Sequence, residues 1–169
     1  MSRLLNLLLL CFLSAGISCK SREDRRAYAI GYNYLAAEKY GTRLPVVSQV
    51  DLFAFGDGSS SKTDRFRLVY DPEESFLVTN HVTLRGEEAA RFGDIWRSQK
   101  FNWSGSMCFE PGFGLRFKTE SGWVFETAVC LRCRDFSVPV KGCRAVLGFG
   151  SHTNFLTFSN ALAQSFTTQ

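Results

Sequence analysis

The stretch from Cys108 to Cys143 constrains this chain most, because it joins a two-residue periodicity to four of the six cysteines. The odd positions Phe109, Pro111, Phe113, Leu115 and Phe117 are apolar, while Glu110, Gly112, Gly114, Arg116 and Lys118 are charged or small. From Trp123 the odd set Trp123, Phe125, Val129 and Leu131 is again mostly apolar, against Glu126, Ala128, Cys130 and Arg132. Side chains alternate across a strand, so each run predicts a strand with one buried face. Glu120-Ser121-Gly122 lies between the runs, and a three-residue loop ending in glycine fits a type I turn with a G1 bulge. That loop pairs Thr119 with Trp123, sets Arg116 opposite Glu126 and Glu110 opposite Arg132, and brings the two odd faces together. A two-residue loop would set Phe117 against Glu126 and mix the faces.

Beyond Cys133 the apolar parity becomes even, at Phe136, Val138 and Val140. A one-residue flip is the mark of a β-bulge. A bulge at Leu131 or Arg132 would bring Cys130 and Cys133 to one face; one at Arg134 or Asp135 would keep them apart. Regular pairing of Glu110 with Arg132 favours the later break. The two cysteines are therefore expected on opposite faces, Cys133 toward the core, with any disulfide joining one of them to Cys108 or Cys143.

The N-terminus carries Arg3 and an apolar run from Leu4 to Leu13, too short to span a bilayer and suited to a signal peptide over residues 1–18. Gly16-Ile17-Ser18-Cys19 resembles a bacterial lipoprotein box, with Gly16 in place of the usual Leu, Val or Ile. Ordinary cleavage after Ser18 gives the same mature start. Setting Cys11 and Cys19 aside leaves an even set of four cysteines, Cys108, Cys130, Cys133 and Cys143, as an oxidising compartment favours. A lipid on Cys19 avoids an odd thiol. The expectation is an exported protein of the cell envelope, a membrane-anchored lipoprotein or a periplasmic one. Its membrane partner is reached through the N-terminal lipid. Residues 19–26 form a charged linker, and residues 27–169 a single domain. The formal charge is +4, one unit of it from Arg3, which gives no reason to expect a nucleic-acid partner.

The remaining chain supplies the other elements. Ala27–Tyr40 is read as a short helix and Val50–Phe55 as a strand. Gly56 to Thr63 nearly spells a phosphate-binding loop, but Ser61 stands where glycine is needed and a strand-like run follows, so a hairpin loop is expected. Asp71 to Glu74 reads as a turn. Phe76 to Leu84 reads as a strand with Phe76, Val78 and Val82 on one parity and His81, exposed, on the other. Gly86-Glu87-Glu88 opens a helix with an apolar stripe of Ala89, Phe92, Ile95 and Trp96. Arg144–Phe149 is the last strand, and Ser151 caps a helix carrying Phe155, Phe158, Leu162 and Phe166. The class is α+β: a single antiparallel sheet of about five or six strands with two helices mainly on one face.

Cys108-Phe109-Glu110-Pro111-Gly112-Phe113-Gly114-Leu115-Arg116, followed by Cys130-Leu131-Arg132-Cys133, resembles a group of functionally uncharacterised bacterial secreted or lipoprotein-like sequences. They share Cys-Phe-x-Pro-x-x-Gly-x-Arg and then Cys-x-x-Cys. Relatives often carry histidine where Phe113 stands. The resemblance implies export and transfers no activity.

Several roles fit Cys108, Cys130, Cys133 and Cys143. Structural disulfides are the plain expectation for an exported domain. Zinc is an alternative, although zinc ribbons carry two Cys-x-x-Cys knuckles and this chain one. Thiol redox chemistry is another, although its Cys-x-x-Cys usually opens a helix and this one follows a strand. No cofactor besides zinc is indicated. Gly148-Phe149-Gly150-Ser151-His152 is not a nucleophile elbow, and the chain has two histidines and no paired acids, so an enzyme is not favoured. The expected function is an envelope-tethered binding or structural module; the alternative is a cysteine-based metal-binding or redox protein.

Overall fold

The structure, a computed structural model, describes residues 39, 41, 43–56, 64–68, 71–103, 109–140 and 143–167. These belong to the unit Tyr32–Gln169. The signal peptide, Cys19, the linker, Cys108 and nearly all of the helix expected over 27–40 lie outside the described residues.

The alternating runs build strands and the 3.6-residue stripes build helices. In chain order they are β1 (Gln49–Phe55), β2 (Arg65–Leu68), β3 (Asp71–Arg85), α1 (Gly86–Arg97), β4 (Phe101–Trp103), β5 (Phe113–Thr119), β6 (Gly122–Cys130), β7 (Asp135–Val140), β8 (Cys143–Phe149) and α2 (His152–Thr167). The strands form one antiparallel sheet in the order β2-β3-β1-β5-β6-β7-β8-β4. The α+β class and the two helices agree with the sequence reading. The strand number does not: eight strands are described rather than five or six. Phe101–Trp103 pairs with β8 as a short edge. Asp71 to Glu74, read as a turn, begins β3. The run from Cys130 to Val140 is not one bulged strand but the end of β6, a turn and β7.

Both helices cover one face. Trp96 of α1 is fully buried at its centre, with ring centroids of Phe101, Phe117, Phe125, Phe136, Phe149 and Phe158 all within 6.0 Å. Val50, Leu52, Leu115, Val129 and Leu162 complete this core. Two acids, Glu87 and Glu88, lie at the positive end of α1. Ser151 Oγ accepts from Asn154 N–H at 3.4 Å, the expected cap of α2.

The second face is also covered, by the chain's own edge. The β2–β3 hairpin folds back far enough for β2 to reach β6, and Phe66, Leu68, Val78 and Ala128 make a second buried cluster. Gly114 of β5 lies beneath it: a Cβ there would stand 2.7 Å from Phe55 and 2.9 Å from Phe66. Gly114 thus makes room for rings rather than facing open water. A bulge makes this fold-back possible. Ala54 pairs with Asn80 but Phe55 with Val78, leaving Thr79 extra, so Phe76 and Val78 turn to the second face while Val82 and Leu84 stay in the helix-covered core. The sequence reading had put Phe76, Val78 and Val82 on one face.

The β5–β6 register follows the expectation where it is buried: Arg116 opposes Glu126 and Phe117 opposes Phe125. The tip differs. Thr119 pairs with Gly122, so Glu120 and Ser121 make a two-residue connection, and Val124 is the extra residue that restores the register. Gly122 takes φ 137°, a conformation that glycine reaches without steric penalty.

Candidate functional site

The candidate site is the turn between β6 and β7. Cys130 closes β6 opposite Asp135, the first residue of β7, leaving Leu131-Arg132-Cys133-Arg134 to reverse the chain. Arg134 takes φ 57°, the left-handed region that a tight reversal requires. Its N–H donates to Leu131 O at 3.3 Å, and its carbonyl accepts from Phe149 N–H at 2.9 Å. The turn is therefore pinned to β8.

This reversal corrects the reading of the cysteines. Cys130 and Cys133 do not face opposite sides; the turn curls Cys133 back onto Cys130. The Cys133 N–H donates to Cys130 Sγ at 3.1 Å, and the two thiols are themselves hydrogen-bonded. Nor does Cys133 point to the core. Cys130 is the buried one and Cys133 is half-exposed, and both carry thiols. Glu110 does not oppose Arg132 either. The segment before β5 leaves the ladder after the bond from Gly112 N–H to Val129 O, and the Glu110 backbone bonds to Cys130 Sγ instead.

These contacts set the chemistry of Cys130. Burial is the largest influence and pushes its thiol above the ordinary range, helped by the hydrogen bond with the Cys133 thiol. The backbone groups of Cys133 and Glu110 act the other way. Cys130 thus rests as a thiol, yet two amide donors await negative charge on its sulfur. Arg132 and Arg134 flank the half-exposed Cys133, and Arg134 lies 5.5 Å over the Phe155 ring.

Asp135 adjoins this pair, and the sequence reading did not single it out. It is 3% exposed, and its Oδ2 is buried with no hydrogen-bond partner among the described residues. A signal was present: an acid stands where the apolar parity flips, two residues after Cys133.

Cys143 is held elsewhere. It opens β8 opposite Val140, at the far end of β7 from Asp135. At ~3.3 Å per residue this is roughly 17 Å along the strand, beyond the ~4.4–6.8 Å between the Cα atoms of a disulfide. Among the described residues no three His, Cys, Asp or Glu side chains gather as a metal site.

Two other features stand apart from the turn. Asp51 accepts from Gln49 Nε2 at 2.9 Å and Thr83 Oγ1 at 2.7 Å, and His81, exposed as expected, stacks on Phe53 at 4.5 Å. Partners from β1 and β3 satisfy that carboxylate, so the network stabilises the sheet. On the helix-covered face, a cavity of about 670 Å³ lies between α1, α2 and β3, with Val82, Leu84, Phe92, Ile95 and Ala161 as apolar lining and Arg91 at its wall. No family model, curated protein or solved structure matches this chain.

Proposed function

We propose that this is an exported, envelope-tethered protein whose Cys130–Cys133 pair undergoes reversible thiol–disulfide exchange. The observation that carries this reading is the turn that folds Cys133 back onto Cys130, one half-exposed and the other buried, with the Cys133 N–H donating to Cys130 Sγ at 3.1 Å. Closing a bond between them needs only a small movement, whereas thiols on opposite strand faces would need the strand to unravel. The half-exposed Cys133 meets the partner disulfide. The buried Cys130 resolves the mixed disulfide that results. The lipid expected on Cys19 would hold this chemistry at the membrane, and Arg132 and Arg134 suit a partner carrying carboxylates.

The test is a titration of the full chain in glutathione redox buffers. The pair should interconvert as a two-electron couple with a midpoint less negative than about −300 mV, the limit below which disulfides resist reduction by glutathione. A pair that stays reduced at the oxidising end, or that purifies with one zinc ion per chain, would overturn the reading.

A second reading, a small-molecule binding module, is favoured by the cavity between the helices, whose volume falls within the ~300–1,000 Å³ of ligand pockets. Native mass spectrometry of the purified protein should then show a bound small molecule that A161W removes. An unliganded mass in both would refute it.

A further inference from the structure

We infer that Asp135 accepts the Cys130 proton when the Cys130–Cys133 disulfide closes; this rests on the dithiol reading above. A resolving thiol must lose its proton to attack, and burial holds Cys130 in its neutral form. Something close by has to take that proton. Directly across the β6–β7 pair stands Asp135. Opposite residues of an antiparallel pair share a face with Cβ atoms about 4.5–5.5 Å apart, within reach of a proton passed through one water. A buried carboxylate oxygen with no partner is costly to the fold and calls for an explanation; service to the neighbouring thiol supplies one.

The other described neighbours do not compete for this role. From β8 the residue facing Asp135 is Gly148, which has no side chain to titrate. In the turn, Arg134 lies over Phe155, Arg132 is exposed, and Cys133 is the sulfur being attacked. The Glu110 side chain is exposed, and its backbone is the part that reaches Cys130.

Cys133 thiolate attacks a small disulfide RSSR, forming Cys133–S–S–R and releasing RS⁻, which takes up a proton. Cys130 then gives its proton to Asp135 as its sulfur attacks Cys133 Sγ. The Cys130–Cys133 bond forms, the second RS⁻ departs, and Asp135 returns the proton to it. Two protein thiols are oxidised, and one RSSR is reduced to two RSH.

The experiment mixes the reduced full chain with oxidised glutathione, quenches with acid and follows the cysteine peptides by mass spectrometry. The mixed disulfide at Cys133 and its conversion to the Cys130–Cys133 bond are thereby timed apart from the other cysteines. Closure in the wild type should change little between pH 6 and 8, because the acceptor is built in. In D135N it should slow by about 100-fold at pH 7 and recover by about tenfold per pH unit as solvent deprotonates the thiol. An unchanged rate and profile in D135N would overturn the inference while leaving the dithiol reading intact. So would wild-type closure that itself rises tenfold per unit, a result that needs no variant to fold. Failure of the wild type to form the Cys130–Cys133 bond at all would overturn both.

Discussion

Replacing Phe117 with alanine tests the β5–β6 register that carries β6 to the cysteine turn. The ring is fully buried beneath α1. It stacks on Phe125 with centroids 4.8 Å apart, and lies 5.3 Å from Trp96 and 6.5 Å from Phe92. Truncating a buried phenylalanine costs about 3–5 kcal/mol. Aromatic pairs add about 0.5–1.5 kcal/mol each beyond their area, so the upper half of that range is expected here. At about 2–4 °C per kcal/mol for a domain of this size, the melting temperature should fall by roughly 10–20 °C. Urea unfolding followed by circular dichroism gives the energy, with an unchanged slope showing that compactness is preserved. F53A is the comparison: Phe53 is half-exposed on the second face and should cost roughly 1–2 kcal/mol. A cost below about 1 kcal/mol for F117A, or one no greater than that of F53A, would mean that Phe117 does not face the helices and that the register is wrong.

G114V should destabilise by about 1–3 kcal/mol in the same assay, because its side chain meets Phe55 and Phe66 under 3 Å from the Cβ; no loss would place the β2–β3 hairpin elsewhere. R116A should cost about 1–3 kcal/mol, since Arg116, its side chain 32% exposed, pairs at 2.9 Å with Glu126, whose side chain is 10% exposed, and covers Phe66 at 4.7 Å. The double variant R116L/E126L should lose less, and an equal loss would contradict this. The raised Cys130 pKa means that folding favours the protonated thiol. Its stability contribution is complete below the unfolded thiol range, near ~8.5, and disappears as pH rises through the folded value. The stability advantage of reduced wild type over C130A should therefore shrink between pH 7 and 10, and a constant difference would refute the assignment.

The fold was legible where one periodicity persisted. Leu115, Phe117 and Phe125, and the stripe of Ala89, Phe92 and Trp96, identify the buried face because burial fixes register. It was not legible at Thr79. A bulge there sends Val78 and Val82 to opposite faces while both keep even numbers, so parity conceals the change. The second covered face was hidden for a related reason, since Gly114 reads as exposed until Phe66 is seen above it. At the candidate site the phase break between Leu131 and Phe136 was visible in the sequence, but a bulge and a four-residue reversal produce the same flip. Arg134 in the left-handed region settles which occurs, and no residue type announces that, because arginine is not favoured there. Asp135 was overlooked because a charged residue at a strand end ordinarily faces water.

The most direct measurement is a non-reducing tryptic map of the full chain after exposure to oxidised glutathione. Cleavage at Arg132 separates Cys130, in peptide 119–132, from Cys133, in peptide 133–134, while Cys108 and Cys143 fall in peptides 101–116 and 142–144. Peptide 119–132 should be linked to 133–134, with the link disappearing on mild reduction. A link from either peptide to 101–116 or 142–144 would contradict it and restore the structural disulfide that the sequence alone suggested.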